Sequence, residues 1–246
     1  MNCHELKEEW NQDNIYSEDR VNCFSCNNCV PDIGLRAAIN KVLDRRALAD
    51  ITIDDLESLT DTLDARDYRI KSIEGIQYAR NISCLLLQHN AITDITPLSS
   101  LSNLEYLSVN YNHIREFPCM LNMYQLKKIY FSFNHIIDIS PLIRIPNLFS
   151  IYGVNQRIKL RPLTISDRND VNISLEALYD NNSEFILNEC SINPFGIWDD
   201  VYHRLVYPKV NVNDNICFSF EKKYQHCYTK RIFLLSGIVD ATVVSK

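Results

Sequence analysis

Apolar residues return every 22 positions along the middle of this chain. Rows begun at residues 60, 82, 104, 126 and 148 carry the pairs Leu63/Ala65, Leu85/Leu87, Leu107/Val109, Ile129/Phe131 and Ile151/Gly153. Five residues after the first member of each pair stand Tyr68, Asn90, Asn112, Asn134 and Gln156. Two further on come Ile70, Ile92, Ile114, Ile136 and Ile158. The columns Ile73/Ile95/Phe117/Ile139 and Ile76/Leu98/Met120/Leu142 follow, and the register needs no insertion across four complete rows.

Alternation within each pair predicts a short strand with one face inward. The Asn column falls where the chain turns off the strand. A buried amide there can bond the backbone groups the turn exposes, and the next row repeats it as a ladder. One such coil cannot bury its apolar side alone, so the rows are expected to stack into a solenoid. Its strands then form a parallel sheet on one concave face. This is the pattern of a leucine-rich repeat.

The flanks differ from the rows. Pro31-Asp32 opens a helical spacing of Ile33, Leu35, Ala38, Ile39, Val42 and Leu43, and Thr52 is placed to cap a second short helix through Leu56 and Leu59. Together they predict a helical cap over the first coil. From residue 157 onward the runs Ile158-Leu160, Ile173-Leu175, Phe185-Leu187, Ile216-Phe220, Ile232-Leu235 and Val239-Val244 predict a small antiparallel β-sandwich. The expected divisions are a polar, Cys-containing leader (1–30), a helical cap (31–59), repeats (60–156) and a β-sandwich (157–246).

Row 82 contains Asn90-Ala91-Ile92-Thr93-Asp94-Ile95-Thr96-Pro97-Leu98, and row 126 repeats that wording from Asn134 to Leu142. With Ile73-Glu74-Gly75-Ile76 in the first row, the chain resembles bacterial internalin-type proteins. Row 104 departs, with Glu116-Phe117-Pro118-Cys119-Met120, so its convex side must be reshaped. The resemblance implies an α/β leucine-rich-repeat solenoid with a helical N-terminal cap and an all-β immunoglobulin-like C-terminal domain. It also implies a protein partner, in a host or at a cell surface, bound by a monomer on the concave face.

Alternation leaves the residues between the inward columns on the concave side. This gives Thr62, Asp64 and Arg66; Cys84, Leu86 and Gln88; Tyr106, Ser108 and Asn110; Lys128, Tyr130 and Ser132; and Ser150, Tyr152 and Val154. His89, Tyr111, Phe133 and Asn155 fall on its rim. Gln88, Tyr106, Asn110, Tyr111, Lys128, Tyr130, Phe133 and Tyr152 form the candidate partner-binding set. Aromatic side chains concentrate in binding hot spots, although they also suit strands for packing alone.

Composition narrows the function. With 46% hydrophobic and 23% charged residues the chain is globular, and a net charge of -6 without a dense basic block argues against nucleic acid. The longest late apolar run, Ile232 to Leu235, is far too short to span a bilayer. The acidic, polar first ten residues do not resemble a secretory signal, so the literal reading is cytoplasmic, while the resemblance implies export. No Gly-rich phosphate loop or Gly-x-Ser-x-Gly elbow occurs, so an enzyme is not expected. Nine cysteines suit a reducing compartment. Cys23, Cys26 and Cys29 are spaced as three thiolate ligands for zinc or an iron–sulfur centre, or they belong to a leader without metal. A cytoplasmic adaptor of the same fold and a metal-dependent regulator using these cysteines remain the alternatives. Asp94 and Asp138 are too few for calcium, and turn hydrogen bonding accounts for them.

Overall fold

The structure is a computed structural model. It describes residues 28–159 with their side chains, then the backbone of strands between 163 and 244 together with Tyr228, Leu235, Ser236 and Val239. Helix α1 (Ile33–Val42) starts where Asp32 accepts the Leu35 N–H at 3.0 Å. The other Asp32 oxygen accepts from Lys71 N and Ser72 N at 2.9 and 3.1 Å. One carboxylate thus caps the helix and pins it to the first coil. Helix α2 (Ile53–Glu57) begins with the expected Thr52 cap. Thr52 and Asp55 complete a reciprocal capping box, with Asp55 N to Thr52 Oγ1 at 3.2 Å and Thr52 N to Asp55 Oδ2 at 3.0 Å. Leu35, Ala38, Ile39 and Leu56 are buried in the same core as the repeat residues.

The Arg45 guanidinium, 2.6 Å from Asp55, is the main reason the Asp55 carboxyl titrates below its ordinary value of 3.8. A lowered folded pKa means a contribution that is full above the ordinary value and lost as pH falls through the lowered one. Asp55→Ala is therefore expected to cost about 1 kcal/mol at pH 7. Its deficit against the parent protein should shrink below pH 3.8, as urea midpoints at a series of pH values would show. A deficit constant down to pH 2 would contradict the assignment.

Strands β1 (Asp61–Asp64), β2 (Ile82–Leu86), β3 (Tyr106–Ser108), β4 (Lys128–Tyr130) and β5 (Ser150–Lys159) pair in parallel, each with the next. Leu85 opposes Leu107, Leu107 opposes Ile129, and Ile129 opposes Ile151, so the 22-residue period is the sheet register itself. The inward apolar columns of the repeat are buried, Ile158 in the last row only partly. The convex side returns through short 3-10 turns at Ile76–Tyr78, Thr96–Ser100 and Leu142–Arg144. Asp94 and Asp138 cap the backbone there, accepting from Thr96 N and Ser140 N at 2.8 Å each. Row 104, with its departing sequence, has no 3-10 segment there and returns through isolated turns, Met123 N bonding Met120 O and Leu126 N bonding Met123 O at 3.0 Å each.

The amide ladder forms with constant geometry. Asn90, Asn112, Asn134 and Gln156 each accept the backbone N–H twenty residues back, from Ile70, Ile92, Ile114 and Ile136 at 2.9 to 3.0 Å. Each also donates to the carbonyl twenty-five residues back. Gln156 performs the same task with one more methylene.

Beyond the repeats come β6 (Leu163–Thr164), β7 (Asp170–Ser174), β8 (Ser183–Leu187), β9 (Ile197–Asp199), β10 (Arg204–Pro208), β11 (Asn215–Gln225) and β12 (Ile232–Val244). Two features differ from expectation. Strand β5 runs from the last repeat past residue 157, and β12 pairs parallel to it, so the solenoid sheet continues as β5-β12-β11-β8. The late strands are also not purely antiparallel, and Ile232-Leu235 and Val239-Val244 are one strand. Continuity has a physical reason. The outer edge of β5 would otherwise expose its backbone groups, and β12 pairs with them. A separate sheet contains β7, β10 and β9.

Candidate functional site: the concave face and its rim

The concave surface is built by the residues that alternate with the buried columns. Tyr106, Tyr130 and Tyr152 lie on three adjacent coils, with ring centroids 5.4 and 6.2 Å apart. Tyr152 is 53% exposed, while Tyr106 and Tyr130 are half-buried against their neighbours. Burial is the main cause that pushes the Tyr106 phenol above its ordinary value, with Tyr130 and Cys84 adding to it. Lys128 is exposed and holds its ammonium 5.8 Å from the Phe149 ring centroid. Phe149 extends this aromatic surface and was missed by alternation alone. It sits one residue before its strand, in the column of Asp61, Ser83, Glu105 and Lys127.

The rim column has a conformation that hydrophobic patterning does not reveal. Asp67, His89, Tyr111, Phe133 and Asn155 all have φ between 55° and 64°. In each of the first four the N–H bonds to the next coil: to Gln88 O at 3.1 Å, Asn110 O at 3.1 Å, Ser132 O at 2.9 Å and Val154 O at 3.0 Å. This left-handed turn lets the following amide dive into the core. Asp and Asn tolerate it, whereas for other residues it costs about 1–2 kcal/mol each. Tyr111 and Phe133 nevertheless occupy it, 43% and 42% exposed. Their rings stack at 4.2 Å and 9°, and His89 stacks on Tyr111 at 4.3 Å. Such stacking returns about 0.5–1.5 kcal/mol per pair.

The remaining candidates divide. Asn110 is less a free contact than a brace, because its Oδ1 accepts Ser132 N at 2.7 Å. Ser132 Oγ does the same for Val154 N at 3.2 Å. Gln88 Oε1 is buried without a hydrogen-bond partner in the structure. Ser108 and Ser132, expected on the open face, are buried at 1% and 5% exposure. Both oxygens are engaged with neighbouring groups, Ser108 Oγ accepting from Asn110 Nδ2. Cys23 and Cys26 lie outside the described residues. Cys29 is buried, its N–H bonded to Ile51 O at 2.7 Å. Its carbonyl would lie 2.3 Å from a β-carbon added at Gly75. No helix among the described residues is long and apolar enough to cross a membrane.

A parallel sheet of 22-residue coils, an amide ladder and short convex turns define a leucine-rich-repeat solenoid. A family model of tandem leucine-rich repeats (Leucine Rich repeats, 2 copies) matches residues 80–119, and no catalytic family is indicated. An internalin, inlF, from Listeria monocytogenes is 34% identical over 52% of this chain, with a TM-score of 0.48; this chain spans only 39% of that protein. A Listeria monocytogenes internalin-like protein is 12% identical over 89% of this chain and 96% of its own, with a TM-score of 0.34. The CBM51-2 and INT domains of Clostridium perfringens ZmpB are 17% identical over 88% of this chain and 36% of their own, with a TM-score of 0.34. No curated protein matches the sequence.

Proposed function

We propose that the concave face binds a protein partner in the manner of an internalin, with Tyr106, Tyr130, Tyr152, Tyr111, Phe133 and Lys128 as its contact surface. Under the same reading α1 and α2 form the N-terminal cap of the solenoid, and the strands after β5 form an immunoglobulin-like domain. The carrying observation is that Tyr111 and Phe133 occupy backbone positions that disfavour aromatic residues, while their rings remain exposed beside the tyrosine row. Core packing needs neither ring. A partner that covers both rows would bury large, rigid side chains already held in place, at little cost in ordering entropy.

The experiment uses a photo-crosslinking amino acid at Tyr152 to capture the partner from native material, with the same group at Ser99 on the convex side as control. Binding of the captured protein is then compared between the parent chain and Tyr130→Ala/Tyr152→Ala. Two central aromatic anchors are each worth about 2 kcal/mol or more, so affinity should fall at least thirtyfold while the melting temperature stays within a few degrees. Equal capture from Ser99, or unchanged affinity of the double variant, overturns the proposal. A large fall in melting temperature would instead assign these rings to the core.

A further inference from the structure

Two rows of aromatic rings border a low strip on the concave face. On one side stand Tyr130 and Tyr152, with Tyr106 diagonal to Tyr130. On the other is the rim stack of His89, Tyr111 and Phe133. Between them run Asn110, Ser132 and Val154, one residue from each of three successive coils. Ser132 is 5% exposed and Ser108, opposite Tyr130, only 1%, so the rings rise above this floor. The strip crosses the strands and therefore follows the solenoid axis. Its hydrogen-bond acceptors are already engaged. Asn110 Oδ1 accepts Ser132 N at 2.7 Å, Ser132 Oγ accepts Val154 N at 3.2 Å, and Ser108 Oγ accepts from Asn110 Nδ2 at 3.3 Å. The carbonyls of Ser108, Asn110, Ser132 and Val154 accept backbone N–H groups of the preceding coil at 2.8 to 3.1 Å. Gln88 Oε1, which has no partner, is buried. The tyrosine hydroxyls beside the strip bring donors.

We propose, resting on the concave-face reading above, that the partner lays an extended proline-rich segment along this strip. A strip with engaged acceptors and added donors suits an occupant with few N–H groups and open carbonyls. A β-strand would bring N–H groups to a floor that has little to offer them, and a buried unpaired N–H is costly. Proline has no N–H. A polyproline II segment makes no internal hydrogen bonds, so its carbonyls stay open to the tyrosine hydroxyls. Proline-rich segments dock in aromatic-lined grooves for these reasons. The repeats also match. Polyproline II turns once in three residues, about 9.3 Å, and two coils at about 4.8 Å each span about 9.6 Å. Prolines three residues apart would then meet equivalent places on every second coil. Charge agrees with a neutral occupant, because the strip and its ring rows carry no charged side chain apart from His89 when protonated. Asp64 and Arg66 pair at 2.7 Å on the first coil, where Asp67 also lies, and Glu105 and Lys127 pair at 2.7 Å ahead of their strands. Lys128 holds its ammonium toward the Phe149 ring.

A phage-displayed library of random twelve-residue peptides is selected on the immobilised full chain. The expected result is enrichment of peptides with prolines three residues apart. One such peptide, labelled with fluorescein, is then titrated with the chain and read by fluorescence polarisation. Tyr111→Asn/Phe133→Asn should weaken its binding at least about tenfold, as loss of two aromatic anchors does. The melting temperature should stay within a few degrees, since Asn155 already holds the same left-handed conformation in that column. If this variant does not fold, alanine in place of either spaced proline of the peptide, tested on the parent chain, should weaken binding to a similar extent. No enrichment of proline, or unchanged binding by the folded variant or by the alanine-substituted peptide, overturns the proposal. Peptides without proline whose binding is lost in Tyr130→Ala/Tyr152→Ala overturn this proposal alone and leave concave-face binding standing. Peptides bound equally by the parent and by both double variants count against both.

Discussion

Asn134→Ala is expected to lower the unfolding free energy by about 2–4 kcal/mol. The side chain is 1% exposed and fully engaged. Its Oδ1 accepts Ile114 N at 3.0 Å, and its Nδ2 donates to Val109 O and Phe131 O at 2.9 Å each, with Ser132 O at 3.4 Å. Alanine leaves the buried Ile114 N–H without its partner, at about 1–3 kcal/mol, and takes one of two donors from each carbonyl, Val109 O keeping Asn112 Nδ2 and Phe131 O keeping Gln156 Nε2 at 3.1 Å each. Some of that is recovered if the coils close over the gap. Asn134→Asp should be nearly as damaging at neutral pH, because a carboxylate can accept from Ile114 but cannot donate to either carbonyl. Asn90→Ala should cost less, since that residue is only half-buried at the first rung. Urea unfolding with matched slopes measures all three. A loss under 1 kcal/mol for Asn134→Ala would mean that water enters the ladder and that the amides do not hold the coils in register.

Gly153→Ala should destabilise the last coil by about 3 kcal/mol, at the upper end of what overpacking costs. Most of that loss should disappear in a Phe131→Leu background. Gly153 occupies the column filled by Ala65, Leu87, Val109 and Phe131 in the earlier coils. A β-carbon there would lie 1.9 Å from Phe131 Cε2 and 2.1 Å from Cζ. The Phe131 ring is fully buried and meets Phe117 edge-on at 5.0 Å and 85°, so it has nowhere to retreat. One coil therefore supplies a side chain for two, and the absent side chain of Gly153 is the room its neighbour needs. Phe131→Leu alone opens a cavity, and Gly153→Ala alone overfills the same space. Their combination should show a coupling of about 1–3 kcal/mol in a double-mutant cycle, as expected for residues in contact. Simple additivity would show that the ring moves aside and that glycine is there for another reason.

Both effects bear on the proposed function through the concave face. Tyr130 and Tyr152 flank Phe131 and Gly153 on neighbouring coils, on the opposite side of the same two strands. Core packing below thus sets how flat the tyrosine row above can be. Asn110 and Ser132 act similarly, spending their polar groups on adjacent N–H donors and leaving the exposed rings as the part of the face available to a partner.

The 22-residue spacing by itself determined the coil, the parallel register, the inward columns and the task of each Asn. All of these follow from a residue and its own turn, repeated, so one row contains the whole rule. The capping role of Thr52 and the turn role of Asp94 and Asp138 were legible for the same reason, since partner and donor lie within three residues. What needed the tertiary structure involves groups from different coils or from beyond the repeats. The left-handed rim was hidden because its dihedral is fixed by hydrogen bonds to the following coil, not by the side chains that occupy it. The exchange of volume between Phe131 and Gly153 spans 22 residues. Strand β12 closes against β5 from more than 70 residues away, because an open sheet edge must be paired and only the folded chain decides which segment arrives.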